Sequence, residues 1–183
     1  MPRQECARIV LTGGPGSAKT EFMKKLQREP EFAGFVFFDE LARQLLSSSP
    51  ELRHDRTALH REIYRRQVER EAATGERPFI SDRGTIDAFA FHPETIDLIG
   101  TSLEAEYTRY TGVVQLGSAA ALGGDYYATD EVRNESIEEA LEIEAALKKV
   151  WSGHPRYTFV AAEIDLEKKY GALKSVIVDY VRG

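Results

Sequence analysis

The chain has few of the features that mark secreted or membrane-spanning proteins. Its 183 residues include a single cysteine, Cys6, which excludes an intrachain disulfide and suits a reducing compartment. No stretch approaches the roughly 18 consecutive apolar residues that a membrane-spanning helix requires. The first ten residues are too polar for a signal peptide. We therefore expect a cytoplasmic protein without a transmembrane segment.

Other absences exclude particular kinds of site. The four histidines are scattered and show neither helical nor Cys/His ligand spacing, so a zinc site built by the protein alone is not expected. The net charge of −6 argues against a general nucleic-acid-binding surface. The sequence has no Asn-Lys-x-Asp element for reading guanine, which argues against a small GTPase switch. Because it also lacks repeats and low-complexity tracts, the whole chain, 1–183, suits one domain.

The feature around which the chain is organised is the glycine-rich stretch GGPGSAKT, from Gly13 to Thr20. An apolar run at 9–11 predicts a short buried strand before it, and apolar residues within 22–26 predict an amphipathic helix after it. Glycines let backbone amides approach phosphate oxygens, and the helix start adds the positive end of its dipole. This strand-to-helix turn has the layout of a P-loop.

A P-loop at this position would bind a nucleoside triphosphate, with Lys19 reaching the outer phosphates and the Thr20 hydroxyl holding Mg²⁺. The alternative is a solvated loop at a helix start, but the flanking strand, helix and Lys-Thr pair favour phosphate binding. The dinucleotide pattern G-x-G-x-x-G fails because its third glycine falls at Lys19. The predicted phosphate-binding residues are Gly13, Gly14, Pro15, Gly16, Ser17, Ala18, Lys19 and Thr20.

Ala18 departs from the P-loop pattern, which has glycine directly before the lysine. If this position requires a positive φ, alanine costs about 1 kcal/mol there. The alternative is a loop pulled slightly out of shape. The departure affects the expected affinity for nucleotide and not the location of the site.

Two acidic residues, Asp39 and Glu40, follow a predicted strand at 35–38. The apolar strand is expected to be covered on both faces. Its carboxyl end lies where open α/β sheets bind ligands. Either these acids cap the next helix, or one of them accepts the proton of a substrate hydroxyl.

A third predicted strand, 78–82, ends in Asp82-Arg83-Gly84. An aspartate at this edge can orient Mg²⁺ through its water shell, and an adjacent arginine can neutralise phosphate charge. The alternative is a buried structural pair of Asp82 with Arg83. The P-loop nearby favours the functional interpretation.

Two further segments carry arginines. In the predicted helix 57–73, with an imperfect apolar face that includes Ala72, the arginines either pair with Glu62, Glu69 and Glu71 or bind an anionic substrate. The segment 117–136 is glycine-rich at its start and is predicted to be lid-like. Within it, Arg133 either belongs to the lid or pairs with Asp130 at the surface.

Two more strands are predicted, at 112–116 and 157–161, each followed by a helix. Ser136 is expected to cap the first of these helices and Asp165 the second. Five strands alternating with helices predict a three-layer α/β P-loop NTPase fold, similar to nucleoside and nucleotide kinases, with a mostly or wholly parallel sheet.

The motifs GGPGSAKT, FFDELARQLL, FISDRGTIDAFAF, DEVRNESIEEA and WSGHPRY resemble, in order, those of the AAA-domain-like predicted P-loop ATPases, which are related to nicotinamide-riboside-kinase-type enzymes. The resemblance implies a kinase-like P-loop fold, ATP or GTP, and Mg²⁺, and it does not imply an oligomeric remodelling ring. It also implies that Glu40 with Arg43 lies near the phosphate acceptor; Asp39 is a further substrate candidate from its place at the strand end. Some members resemble small-molecule kinases, and one animal relative resembles a nucleotide- and phosphoinositide-binding regulator.

Two functions follow from these residues. The first is a kinase-like phosphotransferase or NTPase that acts on an unidentified small-molecule acceptor, with Lys19, Glu40, Asp82, Arg83 and Arg133 as catalytic residues and Thr20 and Asp82 at the metal. The second is a nucleotide-dependent regulatory module whose segment 53–70 contacts a protein or an anionic lipid headgroup. No residue cluster specifies the acceptor or the oligomeric state, and P-loops read phosphate rather than base, so ATP and GTP both stay open.

Overall fold

The structure is a computed structural model and describes residues 6–129 and 134–183. Within these residues a five-stranded sheet has the order β2-β3-β1-β4-β5, and every pairing in it is parallel. The parallel sheet predicted from the sequence is confirmed. The strands are β1 (Arg8–Gly13), β2 (Val36–Phe38), β3 (Phe79–Asp82), β4 (Gly112–Leu116) and β5 (Tyr157–Val160).

Helices connect the strands and cover both faces of the sheet. Ser136 caps the seventh helix in a capping box with Glu139, and the Asp165 side chain caps the eighth, as predicted. The helices are α1 (Lys19–Leu26), α2 (Leu41–Ser48), α3 (Arg56–Ala72), α4 (Asp87–Phe91), α5 (Thr95–Ile99), α6 (Leu103–Tyr107), α7 (Ile137–Trp151) and α8 (Leu166–Arg182).

The core lies on the two sides of β1, whose residues 9–11 are fully buried. On one side, apolar residues of α1 and α8 pack against the sheet, and on the other, residues from α3, α4 and α7 do so. The central position of β1 places its carboxyl end, and hence the glycine-rich turn, between the ends of β3 and β4. None of the described helices is both long and apolar enough to cross a membrane.

Two sequence expectations need correction. Strand β2 is not covered on both faces: it lies at the sheet edge, and Val36, Phe37 and Phe38 are all half-buried. The predicted apolar face of α3 is also wrong in part, because Ala72 is exposed. The buried residues of α3 are His60, Gln67 and Glu71, since this helix packs over a polar network below β3.

Candidate phosphate and acceptor site

The turn after β1 is folded back on itself. Gly13 has φ 154°, and a Cβ there would lie 2.7 Å from the Leu116 carbonyl oxygen, so a side chain does not fit. Gly16 has φ 73° and Ala18 has φ 69°, both in the left-handed region, and α1 begins at the next residue, Lys19. The position before the lysine therefore does require a positive φ, which explains why the pattern has glycine there.

The substitution Ala18→Gly is expected to raise the free energy of unfolding by about 0.5–1 kcal/mol, because left-handed backbone strain on alanine exceeds the extra unfolded-state entropy of glycine. Urea denaturation measures the change. Ala72→Gly, at the exposed last residue of the right-handed helix α3, is the control and should not raise stability, because glycine relieves no strain there. A lower free energy of unfolding in Ala18→Gly would contradict the interpretation that Ala18 is strained.

Lys19 and Asp82 face each other beneath the turn. Lys19 Nζ lies 3.8 Å from Asp82 Oδ1, and both side chains are buried. Burial, followed by the charge of Arg83, lowers the pKa of Lys19, while burial raises the pKa of Asp82 against the opposing charges of Lys19 and Arg83. The charge of Lys19 therefore does not fully offset the cost of burying the negative charge of Asp82.

The Asp82 carboxylate fits a cation. Its Oδ1 is buried and has no hydrogen-bond partner among the described residues. The exposed Thr20, in the first turn of α1, supplies a hydroxyl on the phosphate side. No group of three or more metal-ligating side chains occurs in residues 6–129 and 134–183. A Mg²⁺ ion held here would take its other ligands from water and the nucleotide, as is usual for this ion.

Glu40 and Arg83 connect the ends of β2 and β3. Arg83 Nε donates to Glu40 Oε1 at 3.2 Å, and Arg83 Nη1 donates to Asp87 Oδ1 at 3.1 Å. Glu40 occupies the N-cap position of α2 but makes no side-chain cap bond. Burial acts to raise the pKa of Glu40, but Arg83 and Lys19 together outweigh it, so that this pKa is lowered. Glu40 is therefore a carboxylate available to accept a proton.

Arg83 does not form the alternative structural pair with Asp82. Its partners are Glu40 and Asp87, and its backbone lies in the left-handed region at φ 72°. A non-glycine residue in this conformation is maintained only where its surroundings over-determine it, and such residues concentrate at functional sites. The geometry places the Arg83 guanidinium beside the acid that could act as a base.

Asp87 is a site residue that the sequence reasoning missed. Its Oδ1 accepts from the Thr12 hydroxyl and from Arg83, and its Oδ2 accepts from the Gly84 amide at 2.9 Å and from Trp151 Nε1 at 3.2 Å. This carboxylate joins β1, the turn after β3 and α7. Its spacing four residues after Arg83 is the sequence signal that could have identified it.

Two pockets meet at these residues. One, of about 400 Å³, lies over the glycine-rich turn. The other, of about 290 Å³, lies beside it and has mostly apolar walls, including Leu59, Ile63 and Phe91. Both are lined by Pro15, Glu40, Arg83 and Glu135. The arrangement can hold a phosphate chain on one side and a small, partly apolar molecule on the other.

A family model described as AAA domain matches residues 8–169. The chain belongs to this AAA domain family. A search of curated proteins gives no match. Among solved structures, deoxyadenosine kinase from M. mycoides with bound dATP is similar in fold, with a TM-score of 0.60 over 92% of this chain and 97% of that chain, at 13% sequence identity. The family and fold confirm the predicted P-loop ATPase or kinase class.

The three residues that the sequence predicted near the acceptor do not line the same pockets. Glu40 lines both pockets, whereas the exposed Arg43 lines only the phosphate-side pocket. Asp39 is exposed and lines neither of them. The geometry therefore favours Glu40 over Asp39 as the acid that faces a substrate.

The acceptor-side pocket also contains a histidine that the sequence reasoning did not select. The buried His60 ring stacks with Phe91, at a centroid distance of 6.4 Å, and with His92, at 5.4 Å. Burial, with the nearby His92, lowers the pKa of His60 to about 4, so the ring is neutral at pH 7. This wall of the pocket therefore presents a flat, uncharged surface.

The segment after β4 lies against the glycine-rich turn of the AAA domain. The Ser118 hydroxyl donates to the Pro15 carbonyl, and the Ala119 amide donates to the Gly16 carbonyl at 3.0 Å. Lys169 of α8, also missed from sequence, donates from Nζ to the Ser17 and Gly117 carbonyls. Arg133, the predicted lid residue, lies outside the described residues, so the lid stays a prediction.

Proposed function

We propose that this AAA domain is a Mg²⁺-dependent phosphotransferase that moves the γ-phosphoryl group of ATP or GTP to a hydroxyl group of a small molecule. The observation that carries the proposal is the boundary formed by Glu40 and Arg83 between the two pockets. Hydrolysis of the nucleotide would need only a water molecule at that boundary and no second pocket. A second pocket with apolar walls is better explained by an organic acceptor.

The residues divide between binding and chemistry. The turn from Gly13 to Thr20 would hold the triphosphate through its amides, with Lys19 on the outer phosphates. Thr20 and Asp82 would hold Mg²⁺, the latter through its coordinated water. When bound, the ion supplies positive charge that neutralises the phosphate oxygens as the phosphoryl group transfers.

In the transfer step, Glu40 accepts the proton as the O–H bond of the acceptor breaks. The acceptor oxygen forms a bond to the γ-phosphorus while the bond from that phosphorus to the bridging oxygen breaks, and the nucleoside diphosphate leaves. Arg83, 3.2 Å from Glu40, would balance charge on the transferring group. Arg133 is a further candidate for this role from the sequence alone.

The acceptor pocket favours a molecule with an apolar or flat body and a hydroxyl at one end. Leu59, Ile63 and Phe91 would contact the body, and the neutral His60 adds no charge. The same pocket is also lined by polar side chains, among them Arg56, Gln67 and Asp87, which can pair with further hydroxyls of the acceptor. Since the fold is similar to that of a deoxyadenosine kinase, nucleosides are the first acceptors to test.

The test is product analysis with γ-labelled ATP and GTP, Mg²⁺ and a panel of nucleosides, deoxynucleosides, other ribosides and sugars. We expect label in at least one acceptor that carries an aromatic or apolar group, and loss of transfer when EDTA removes the metal. Release of inorganic phosphate at one rate, whatever the acceptor, would contradict a kinase and indicate an NTP hydrolase.

The contacts of the α3 arginines give little support to the second function, a nucleotide-dependent regulatory module. Arg65 pairs with Glu62 and Glu69, and Arg66 pairs with Glu62, all on the surface of α3. These pairs occupy Arg65 and Arg66, so fewer arginines of segment 53–70 are left for an anionic partner than the sequence alone suggests. A location in the cytoplasm stays a prediction from the cysteine content.

A further inference from the structure

One arginine of α3, Arg70, differs from its neighbours. Arg61, Arg65 and Arg66 are exposed, whereas Arg70 is partly buried and its guanidinium lies over the Phe38 ring at 4.7 Å. Burial lowers the pKa of Arg70 to about 10, against the opposing charges around it, so it remains a cation at pH 7. The side chain is therefore directed toward the sheet edge.

The two ends of the Arg70 guanidinium contact different strands. Nη1 donates to the Asp39 carbonyl at 2.7 Å, directly before Glu40. Nη2 donates to Gln67 Oε1 and to Ser81 Oγ at 3.3 Å, directly before Asp82. One planar group thus joins the carboxyl ends of β2 and β3, the two positions that carry the acids of the candidate site.

Ser81 also connects Arg70 to Arg83, the arginine whose backbone lies in the left-handed region. Ser81 Oγ donates to the Arg83 carbonyl at 2.7 Å, and Gln67 Nε2 donates to Ser81 Oγ at 3.1 Å. Gln67 is in turn fixed by Glu71, which accepts from Gln67 Nε2 at 2.6 Å and is itself held by Arg109. This buried network helps to maintain the left-handed backbone at Arg83.

We infer that Arg70 is a positioning residue that fixes the end of β2 against the end of β3 and so sets Glu40 beside Arg83 and Asp82. Strand β2 needs such a connection because it has three residues and, within the described part of the chain, pairs only with β3 at the sheet edge. The inference about catalysis rests on the proposed function, whereas the connection between the strand ends does not. A displacement of about 1 Å in a catalytic group can cost about 100-fold in rate.

The experiment compares Arg70→Met and Arg70→Lys with the control Arg66→Met. Arg66 lies one helical turn earlier, is exposed, and pairs with Glu62 at the surface. In the full chain without ligands, we expect Arg70→Met to accelerate amide hydrogen exchange about 10-fold at 38–41 and 81–84, because the two ends open locally. Arg66→Met should leave exchange at both stretches unchanged.

Kinetics separate positioning from general stability. Once an acceptor is known, Arg70→Met should lower kcat about 10- to 100-fold while the Kd for nucleotide stays within about 2-fold. Arg70→Lys keeps a cation over Phe38, but its single ammonium does not match the forked geometry. It should melt within a few degrees of the wild type and still lose at least about 10-fold in kcat.

Unchanged exchange in Arg70→Met, or a full kcat in Arg70→Lys, would overturn the inference. If Arg70→Met does not fold, the exchange and kinetics of Arg70→Lys decide. If the wild type transfers phosphate to no acceptor, the proposed function fails, and the exchange comparison alone decides whether Arg70 joins the strand ends.

Discussion

Replacing Lys19 by methionine is expected to weaken binding of ATP and GTP by at least about 100-fold, because charge-assisted hydrogen bonds contribute about 1.5–3 kcal/mol each and the lysine can make more than one to a triphosphate. Methionine keeps most of the side-chain volume at this buried position, where Lys19 is 8% exposed. Isothermal titration calorimetry with each nucleotide and Mg²⁺ measures the loss. Turnover should fall with it.

The control for this prediction lies in the same helix. Lys24→Met makes the same change at an exposed position of α1 and should leave the Kd for nucleotide unchanged. Lys19→Met removes a desolvated ammonium, but it also leaves the buried Asp82 carboxylate without its nearest cation, which lowers stability. Thermal unfolding of the variant is therefore measured beside the titration, to show that it is folded at the temperature used. Equal nucleotide affinity in Lys19→Met and the wild type would refute the assignment of Gly13–Thr20 as a phosphate site.

The parts of this molecule that could be predicted from sequence are those encoded by neighbouring residues. The five strands and the turn from Gly13 to Thr20 follow from short apolar runs and from glycine placement, which act over a few positions. Strain at Ala18 is one of two alternatives that the sequence leaves open, since a missing glycine identifies a position where φ matters. Its actual conformation, φ 69°, required the structure.

The contacts between distant segments could not be derived in the same way. Arg83 and Glu40 are 43 residues apart, and their pairing depends on β2 lying next to β3 rather than next to β1. Once that order is known, the ends of both strands fall at one edge of the sheet. The sequence identified both residues, but it could not determine that Arg83 forms its ion pairs with Glu40 and Asp87 rather than with Asp82.

The polar interior of α3 was missed for a different reason. Hydrophobic periodicity assumes that the apolar residues of a helix face the core, and it assigns Gln67 and Glu71 to the solvent. Both are buried because they find partners in Ser81, Arg109 and the backbone. A buried polar network produces no apolar repeat, so only the three-dimensional arrangement reveals the role that we infer for this helix.

Replacing Glu40 by glutamine is expected to lower kcat for phosphoryl transfer about 10²- to 10⁴-fold, the usual contribution of general base catalysis, while nucleotide affinity stays the same. Glutamine can still accept a hydrogen bond from Arg83 through its carbonyl oxygen, so the pocket should retain its shape. Since Arg83 and Lys19 outweigh burial and lower the pKa of Glu40, the base is ionised at neutral pH and is lost only when the pH falls into the acidic range.

The same shift predicts a change in stability with pH. Because the pKa of Glu40 is lower in the folded than in the unfolded chain, its charge stabilises the fold above its unfolded-state pKa, and this contribution disappears as the pH falls through the folded-state value. The Glu40→Gln variant should therefore lose less stability than the wild type between neutral and acidic pH. Urea denaturation at several pH values measures the difference.

The adjacent acid gives a matched control. Asp39→Asn changes an exposed side chain next to Glu40 that lines neither pocket, and it keeps the backbone carbonyl to which Arg70 donates. It should therefore retain wild-type transfer within about 2-fold, because it leaves every transition-state contact in place. If Asp39→Asn and Glu40→Gln lost activity equally, or if Glu40→Gln kept full kcat, Glu40 would not be the base. Loss of kcat in Glu40→Gln but not in Asp39→Asn would mean that Glu40 takes the proton.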